Sequence, residues 1–213
     1  MAVSLRKGQG VSLRKSDYDL SQVTIGLGWD VNEAKGRGFL GGLLGQKAAD
    51  YDLDVIAFLC NAEGKVANLG EKQEDKSLRN GDIVFFNALR HASGCVWLTG
   101  DNRTGEGEGD DEQIIARLND LPAQYHKLVF IIQIYNGIEN KQSFGDVRNA
   151  FIRAVDAQGH EMARFDLSGG QEYASARSFL FAELEREGDG WQFRAIGTPS
   201  QADSFVDWLK QYI

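Results

Sequence analysis

Cysteine, histidine and proline are all scarce in this chain of 213 residues, with two, three and two copies respectively. Cys60 and Cys95 stand far apart without a CxxC pattern, which predicts buried, reduced thiols and makes a redox pair the less favoured alternative. His91, His126 and His160 are dispersed in turn-like contexts. Such positions are typical of surface residues, so the sequence offers no evident catalytic base.

The chain also lacks an excess of positive charge and any long apolar run. It carries 23 Lys and Arg against 31 Asp and Glu, a formal net charge of −8. Without a basic stripe we expect no binding of nucleic acid, and no attraction of oxyanions by the overall field. The N-terminal residues have no signal-peptide core, and nowhere do 18 apolar residues follow one another. We therefore expect a cytoplasmic protein, with peripheral contact at the inner face of the membrane as an alternative.

Carboxylates are concentrated in one short run, GDNRTGEGEGDDE at Gly100–Glu112. Only Arg103 opposes its six carboxylates, and alternating glycines let the backbone turn sharply. Two carboxylates about 4 Å apart repel by ~1 kcal/mol in water and by ~4 kcal/mol near a protein surface. The run therefore predicts a divalent-metal site, and the alternative is a solvated acidic loop.

The donor chemistry of this run favours calcium. It offers carboxylate, amide, hydroxyl and main-chain oxygens but neither His nor Cys, which argues against zinc, copper and nickel. Calcium accepts an irregular shell of oxygens, whereas magnesium demands a near-octahedral one. An EF-hand loop that opened at Asp101 would place Arg103 at a ligand position and Glu106 at the glycine position. The run is therefore not a complete module, and other segments have to contribute ligands.

Two other segments offer carboxylates. Asp52 and Asp54 alternate in ADYDLDVIAFL, so both lie on one face at the start of a predicted strand. Asp30 ends the apolar run VTIGLGWD and is a candidate for the same end of the fold.

Many short apolar segments separated by turn residues predict an all-β sandwich or barrel. The repeat of VSLRK at Val3–Lys7 and Val11–Lys15 predicts a β-hairpin. The segments 112–121 and 144–151 are ambiguous between strand and helix. Further strands are predicted at Gln22–Trp29, Leu53–Cys60, Ile83–Phe86, Cys95–Thr99, Lys127–Tyr135, Phe151–Asp156, Glu161–Leu167, Arg177–Arg186 and Trp191–Ile196.

The C-terminal residues predict an amphipathic helix at Ser200–Tyr212, with a capping box and apolar residues at helical spacing. We divide the chain into a sandwich domain at 1–198 and this helix, at 199–213, packed on it. Two segments look inserted. The charged segment Asn68–Asp82 predicts an exposed loop. Lys35–Ala49 contains a GxGxxG match without the strand and helix of a dinucleotide site, so we reject that match.

The residues that carry chemistry also carry a family resemblance along most of the chain. The chain resembles the TerD family of bacterial tellurium-resistance and stress-response proteins. The matching stretches are VSLRKGQGVSL, VTIGLGWD, DLDVIAFLCNAEGK, GDNRTGEGEGDDE, SFGDVRNAFIRAVD, ARFDLS and GWQFRAIG. The Gly- and Leu-rich insertion resembles that of the TerZ-type branch, whereas the charged insertion and the terminal helix depart from the commonest pattern.

The resemblance implies a two-sheet β-sandwich with acidic calcium-binding loops at one end and no established catalytic activity. It implies a role in resistance to tellurite and other stresses, together with other tellurium-resistance proteins and a membrane-bound partner. The metal ligands carried over onto this chain are Asp30, Asp52, Asp54, Asp101, Asn102, Glu106, Asp110, Asp111 and Glu112.

Two functions compete for these residues. In the first, the chain is a non-catalytic calcium-dependent interaction module, and bound calcium presents the apolar residues Phe39–Leu44 to a membrane surface. The alternative for that apolar segment is a loop folded back onto the sandwich. In the second function, a metal-dependent hydrolase uses the loop carboxylates, with Glu106 and Asp110 as an acid–base pair. A general acid needs an apolar niche that keeps it protonated, and all these acids share one glycine-rich loop. The first function is therefore favoured.

Overall fold

The computed structural model describes residues 3–31, 51–74, 78–99, 109–167 and 173–213. It confirms the predicted sandwich, with two six-stranded sheets, a two-stranded ribbon and one short helix. The strands are β1 Val3–Leu5, β2 Gly10–Leu13, β3 Val23–Val31, β4 Leu53–Cys60, β5 Glu71–Lys72, β6 Leu78–Arg79, β7 Ile83–Val84, β8 Val96–Thr99, β9 Glu112–Ala116, β10 Lys127–Ile134, β11 Val147–Val155, β12 Glu161–Leu167, β13 Ser178–Glu187 and β14 Gly190–Ser200, and the helix is α1 Phe205–Leu209.

The strand order is β1-β12-β11-β3-β9-β8 in sheet 1 and β2-β14-β13-β10-β4-β7 in sheet 2. The main core lies between the sheets, and it includes the inward residues Val55, Ala57 and Leu59 of β4. The other face of β4 is also buried, because a second apolar cluster packs Ile56 and Phe58 against α1. Burial on both faces explains why β4 reads as an uninterrupted apolar run rather than an alternating one.

The N-terminal hairpin prediction is wrong. β1 pairs in parallel with β12 of sheet 1, whereas β2 pairs antiparallel with β14 of sheet 2. The chain crosses between the sheets at Gly8, whose φ of 82° suits glycine and whose N–H donates to Ala195 O at 2.8 Å. The two repeated segments therefore flank a crossing from one sheet to the other, not the turn of a hairpin.

The C-terminal helix is present but shorter than predicted. Ser200 belongs to β14, since it pairs with Ser178 and its carbonyl accepts the N–H of Arg177 at 2.8 Å. The helix begins at Phe205 and is capped by Ser204, whose side chain accepts the N–H of Val206. Pairing along β13 outweighs the capping signal at Ser200. Trp208 and Leu209 of the helix are buried against sheet 2.

Both ambiguous segments contain strands, β9 and β11, which occupy neighbouring places on either side of β3. The charged insertion forms the ribbon of β5 and β6, and its ends meet where Asn68 N–H donates to Asp82 Oδ2 at 3.0 Å. Among the residues that the structure describes, no helix is both long enough and apolar enough to cross a membrane.

Candidate functional site

Six of the predicted ligands are described, and they lie near one end of the sandwich, which we call the acidic end: Asp30, Asp52, Asp54, Asp110, Asp111 and Glu112. β9 runs antiparallel to β3 with Glu112 opposite Leu27, so the residues before β9 lie beside the last residues of β3. Glu112 also reaches the start of β4 in the other sheet. Sheet pairing therefore gathers residues from three distant parts of the sequence.

Asp110 is held on the outer face of sheet 1 by Arg153, which sequence reasoning did not single out. Arg153 Nε donates to Asp110 Oδ1 at 2.7 Å, and Gln113 Nε2 donates to Oδ2 at 3.3 Å. The hydrogen bond to Asp110 is the main cause that raises the pKa of Arg153. Glu161 also contacts Arg153, at 3.3 Å. Both oxygens of Asp110 are thus engaged by side chains of the sheet, and we interpret Asp110 as an anchor of the chain that enters β9.

Asp111 and Glu112 face the neighbouring strands. Trp29 N–H donates to Asp111 Oδ2 at 2.9 Å, and Val55 N–H donates to Glu112 Oε2 at 2.6 Å. β7 pairs with β4 only at Ala57 and Phe58, so the N–H of Val55 lies beyond the end of β7. The buried carboxylate of Glu112 satisfies this edge donor and ties the two sheets together at the acidic end.

Asp54 lies on the outer face of sheet 2 and is also buried. Gln133 Nε2 on the neighbouring strand β10 donates to Asp54 Oδ2 at 3.0 Å. Asp52, two residues earlier, accepts the N–H of Tyr135 through its main-chain oxygen at 2.8 Å. Asp52 therefore directly precedes β4 and Asp54 is the second residue of β4, so both lie at the start of this strand.

Asp30 is exposed and is bonded to Asn149, another residue that the sequence did not reveal. Asn149 Nδ2 donates to Asp30 Oδ2 at 2.6 Å. The register of β11 against β3 shifts between Arg148 and Phe151, and Asn149 adopts a left-handed φ of 51° there. Asn tolerates this conformation better than most residues, so the bulge aims an amide at Asp30. The Asn in SFGDVRNAF was the only available signal.

These carboxylates do not converge on one point. Within the part of the chain that the structure describes, no three Asp, Glu, His or Cys side chains are grouped closely enough to hold a metal ion. The predicted ligands Asp101, Asn102 and Glu106 lie outside the described residues, as does the apolar segment Phe39–Leu44. The oxygen-only donor set of the acidic end fits a hard cation. A complete shell would also need donors from 100–108.

His91 takes part in a structural cluster rather than a catalytic one. The prediction that the histidines lie on the surface is wrong for His91. Its side chain is buried, and its Nε2 lies 3.2 Å from Asp82 Oδ1. Its Nδ1 accepts the N–H of Ser93 at 3.1 Å, and Ser93 Oγ lies 2.7 Å from the same atom. The ring nitrogen that would serve as a base for Ser93 is therefore already hydrogen-bonded by the backbone, and this cluster stabilises a turn.

Both cysteines are buried and free, as predicted. Burial is the main cause that raises the pKa of the Cys60 thiol to about 12. A thiol with this pKa is almost entirely protonated near neutral pH, and the thiolate is the reactive form. Cys60 is therefore poorly suited to direct reduction of an oxyanion.

Comparison with known proteins agrees with this architecture. The TerD domain model matches residues 1–212. The chain belongs to the TerD family. It is 67% identical over its whole length to the tellurium resistance protein TerX of Serratia marcescens, and the match covers 100% of both chains. It is 38% identical, with the same full coverage, to the stress response protein SCP2 of Bacillus subtilis.

A solved TerD-family structure has the same fold. It is the crystal structure of a homologue of telluride resistance protein (TerD) from Streptomyces coelicolor A3(2), with a TM-score of 0.60. The two sequences are 20% identical, and the match covers 87% of this chain and 94% of that one. This likeness supports the fold, while membership of the tellurium-resistance and stress-response family rests on the sequence matches.

Proposed function

We propose that this TerD-family protein binds calcium at its acidic end and acts in stress resistance as a calcium-dependent interaction module, not as a catalyst. The observation that carries the proposal is the collection of carboxylates from β3, β4 and the start of β9 beside the ends of segment 100–108. Neighbouring donors fix the direction of these carboxylates. Together with oxygen donors from 100–108, they would supply the shell that a hard divalent cation needs.

The contacts separate the proposed ligands by role. Neutral donors hold four of the proposed ligands: Asn149 holds Asp30, Gln133 holds Asp54, Trp29 N–H holds Asp111 and Val55 N–H holds Glu112. Holding a ligand by a second hydrogen bond is how proteins orient carboxylates toward metals. Asp110 differs because its partner is a cation: Arg153 Nε donates to Asp110 Oδ1 at 2.7 Å and competes with a metal ion for that carboxylate. We therefore assign Asp110 an anchoring role, and Asp52, Asp101, Asn102 and Glu106 remain proposed ligands.

Calcium would stabilise the folded protein and order the acidic end. An ion that binds only the folded state at a hundred times its dissociation constant contributes about 2.7 kcal/mol of stability. In this account the ordered end is recognised by other tellurium-resistance proteins or by a membrane-bound partner, and the protein acts in the cytoplasm. Contact of Phe39–Leu44 with a membrane surface belongs to the same proposal.

The hydrolase alternative is less well supported. It needs Asp110 as one of two catalytic carboxylates, but Asp110 accepts a charge-assisted hydrogen bond from Arg153. A general acid has to present a carboxyl oxygen to its substrate, and Arg153 and Gln113 engage both oxygens of Asp110.

Calorimetric titration of chelator-treated protein with calcium and, separately, magnesium tests the proposal. We expect saturable calcium binding that is weakened at least tenfold by Asp111→Asn. Asp189→Asn is the control. It removes the same single negative charge from an exposed turn between β13 and β14, and it should leave calcium binding unchanged. Equal binding by both variants would exclude Asp111 as a ligand.

Flotation with anionic liposomes tests membrane contact separately. Calcium should increase recovery of the wild type with the liposomes, and the double substitution Leu43→Asp/Leu44→Asp should abolish that increase. Equal recovery with and without calcium would end the membrane part of the proposal.

A further inference from the structure

Gln133 connects the acidic end to the C-terminal helix through two hydrogen bonds. Its Nε2 donates to Asp54 Oδ2 at 3.0 Å, and its Oε1 accepts the N–H of Phe205 at 2.7 Å. Gln133 and Asp54 are both buried, with 4% and 5% of their surface exposed. Phe205 is the first residue of α1. A single side chain thus separates a proposed calcium ligand from the start of the helix.

The orientation of the Gln133 amide is fixed by its partners. A carboxylate such as Asp54 can only accept, and a backbone N–H such as that of Phe205 can only donate. Rotating the amide by 180° would set its oxygen against the carboxylate and its NH2 group against another donor. Movement of Asp54 therefore has to be followed by Gln133 or has to break one of two buried hydrogen bonds.

The helix depends on such contacts because it is only five residues long, and isolated helices of this length do not persist in water. Its C-terminal side is held separately, where Val66 N–H donates to Tyr212 O at 2.7 Å and Lys65 Nζ donates to Ile213 O at 2.9 Å. Its middle is held by Trp208 Nε1, which donates to Ser178 Oγ at 2.9 Å. The bond from Gln133 is thus a contact that joins the first residue of α1 to the acidic end, and Ile138 N–H also donates to Asp203 Oδ2, just before the helix, at 2.8 Å.

The surface under this helix is apolar. α1 covers Ile56 and Phe58 of β4 together with Val129 and Ile131 of β10. The ring of Phe205 packs 6.2 Å from that of Phe58, centre to centre. Loosening the start of α1 would uncover apolar surface of the kind that protein partners bind.

We propose that Gln133 transmits calcium occupancy from Asp54 to α1, so that the C-terminal segment over sheet 2 is the part of the molecule that responds to the ion. This inference rests on the proposed calcium site. A cation that holds the Asp54 carboxylate restricts Gln133, and the restricted Gln133 holds the N–H of Phe205 more firmly. Calcium therefore orders the helix, and its removal loosens the helix start. By reciprocity, loosening the helix weakens calcium binding by the same factor.

Amide hydrogen exchange of the full chain, measured with calcium and with chelator, tests this coupling directly. In the wild type we expect calcium to slow exchange at Phe205–Leu209 at least threefold. The amides of Tyr212 and Val66 should respond less, because their segment is pinned independently. Calorimetry on the same samples reports whether calcium binds.

Gln133→Leu removes both bonds while keeping a buried side chain of similar length. Because Gln133 orients Asp54, this variant should bind calcium roughly tenfold more weakly by calorimetry, and at saturating calcium its exchange at Phe205–Leu209 should no longer depend on the ion. Gln124→Leu is the matched control, because Gln124 is exposed before β10, and it should behave like the wild type. If Gln133→Leu fails to fold, the wild-type exchange experiment alone decides.

The outcomes separate the two proposals. Calcium binding without any change at Phe205–Leu209 in the wild type overturns the coupling and leaves the calcium site standing. A calcium response that persists in Gln133→Leu excludes Gln133 as its carrier. Absence of calcium binding overturns both.

Discussion

The carboxylate of Asp110 lies directly against Gly26, where a Cβ atom would overlap its carboxyl carbon and both oxygens. Gly28 is similarly covered, because a Cβ there would overlap the ring of Phe151 and the carbonyl of Gly109. The two glycines of VTIGLGWD therefore leave a bare strip on the outer face of β3. The chain entering β9 lies on this strip, and that is how the acidic end is anchored to sheet 1.

Gly26→Ala should dislodge Asp110 from β3. The overlap forces the carboxylate away from Arg153, so we expect a loss of roughly 2–4 kcal/mol in the free energy of unfolding, as for other overpacked or broken buried sites. Urea denaturation measures it. Gly64→Ala is the control: Gly64 has a φ of 75° but no atom within 4 Å, so only backbone strain of about 1 kcal/mol is expected. Equal losses in the two variants would show that the Asp110 contact is unimportant.

Arg153→Met should leave Asp110 without its cation. Asp110 has 3% of its side chain exposed and Arg153 has 29%, so the pair is partly screened. We expect a loss of about 1–3 kcal/mol, below that of a fully buried pair. Arg117→Met breaks the exposed pair with Asp120, in which both side chains are 50% exposed, and should cost about 0–1 kcal/mol. Thermal unfolding distinguishes the two, and no difference would contradict the anchoring role.

The opposite end of sheet 1 should show a pH dependence through Asp156. Burial alone would raise the pKa of Asp156, but hydrogen bonds from His160 and from the N–H groups of Asp19 and Gln158 lower it below its usual 3.8. A carboxyl with a lowered folded pKa contributes stability that is present above about pH 3.8 and is lost as pH falls through the folded value.

Asp156→Asn should therefore destabilise the protein at pH 7 by roughly 1.5–3 kcal/mol, the range for hydrogen bonds to charged groups. The difference from the wild type should shrink as pH falls below about 4, because the wild-type carboxyl then becomes protonated. Urea midpoints between pH 7 and pH 2.5 measure this. A difference that stays constant over this range would show that the charge of Asp156 does not matter.

Asn149→Gly should keep the bulge in β11 but remove the side chain that donates to Asp30. Glycine adopts the φ of 51° without strain, so the strand should persist with a stability change within about 1 kcal/mol. The hydrogen bond to Asp30 is lost, and calcium affinity should fall roughly tenfold, at the lower limit of the 10–100-fold range known for groups that orient metal ligands. Asn140→Gly, in an exposed turn, is the control. Unchanged affinity in both variants would remove Asn149 from the site.

The sequence predicted most strands well because alternation and turn residues are local signals. β4 and β12 have the predicted bounds, Leu53–Cys60 and Glu161–Leu167. Prediction from the sequence failed where pairing with a strand distant in sequence decides which sheet or element a segment joins. The repeated VSLRK segments join different sheets, and Ser200 is drawn into β14 by β13. Neither partner is close in sequence, so no local pattern could reveal them.

The candidate site divides in the same way. Acidic composition pointed to Asp30, Asp54 and Glu112, and sheet pairing brings their segments to one end. Arg153 and Gln133 were missed, because an Arg or a Gln at an alternating strand position reads as an ordinary surface residue. Their roles follow only from which strands are neighbours.

Calcium titration of chelator-treated protein, followed by calorimetry at low salt, tests the central claim most directly. We predict saturable binding of calcium that is at least tenfold tighter than that of magnesium, and a melting temperature that rises when calcium is restored. Asp111→Asn should weaken the binding while Asp189→Asn should not. A flat calorimetric trace, with the same melting temperature in calcium and in chelator, would contradict the account.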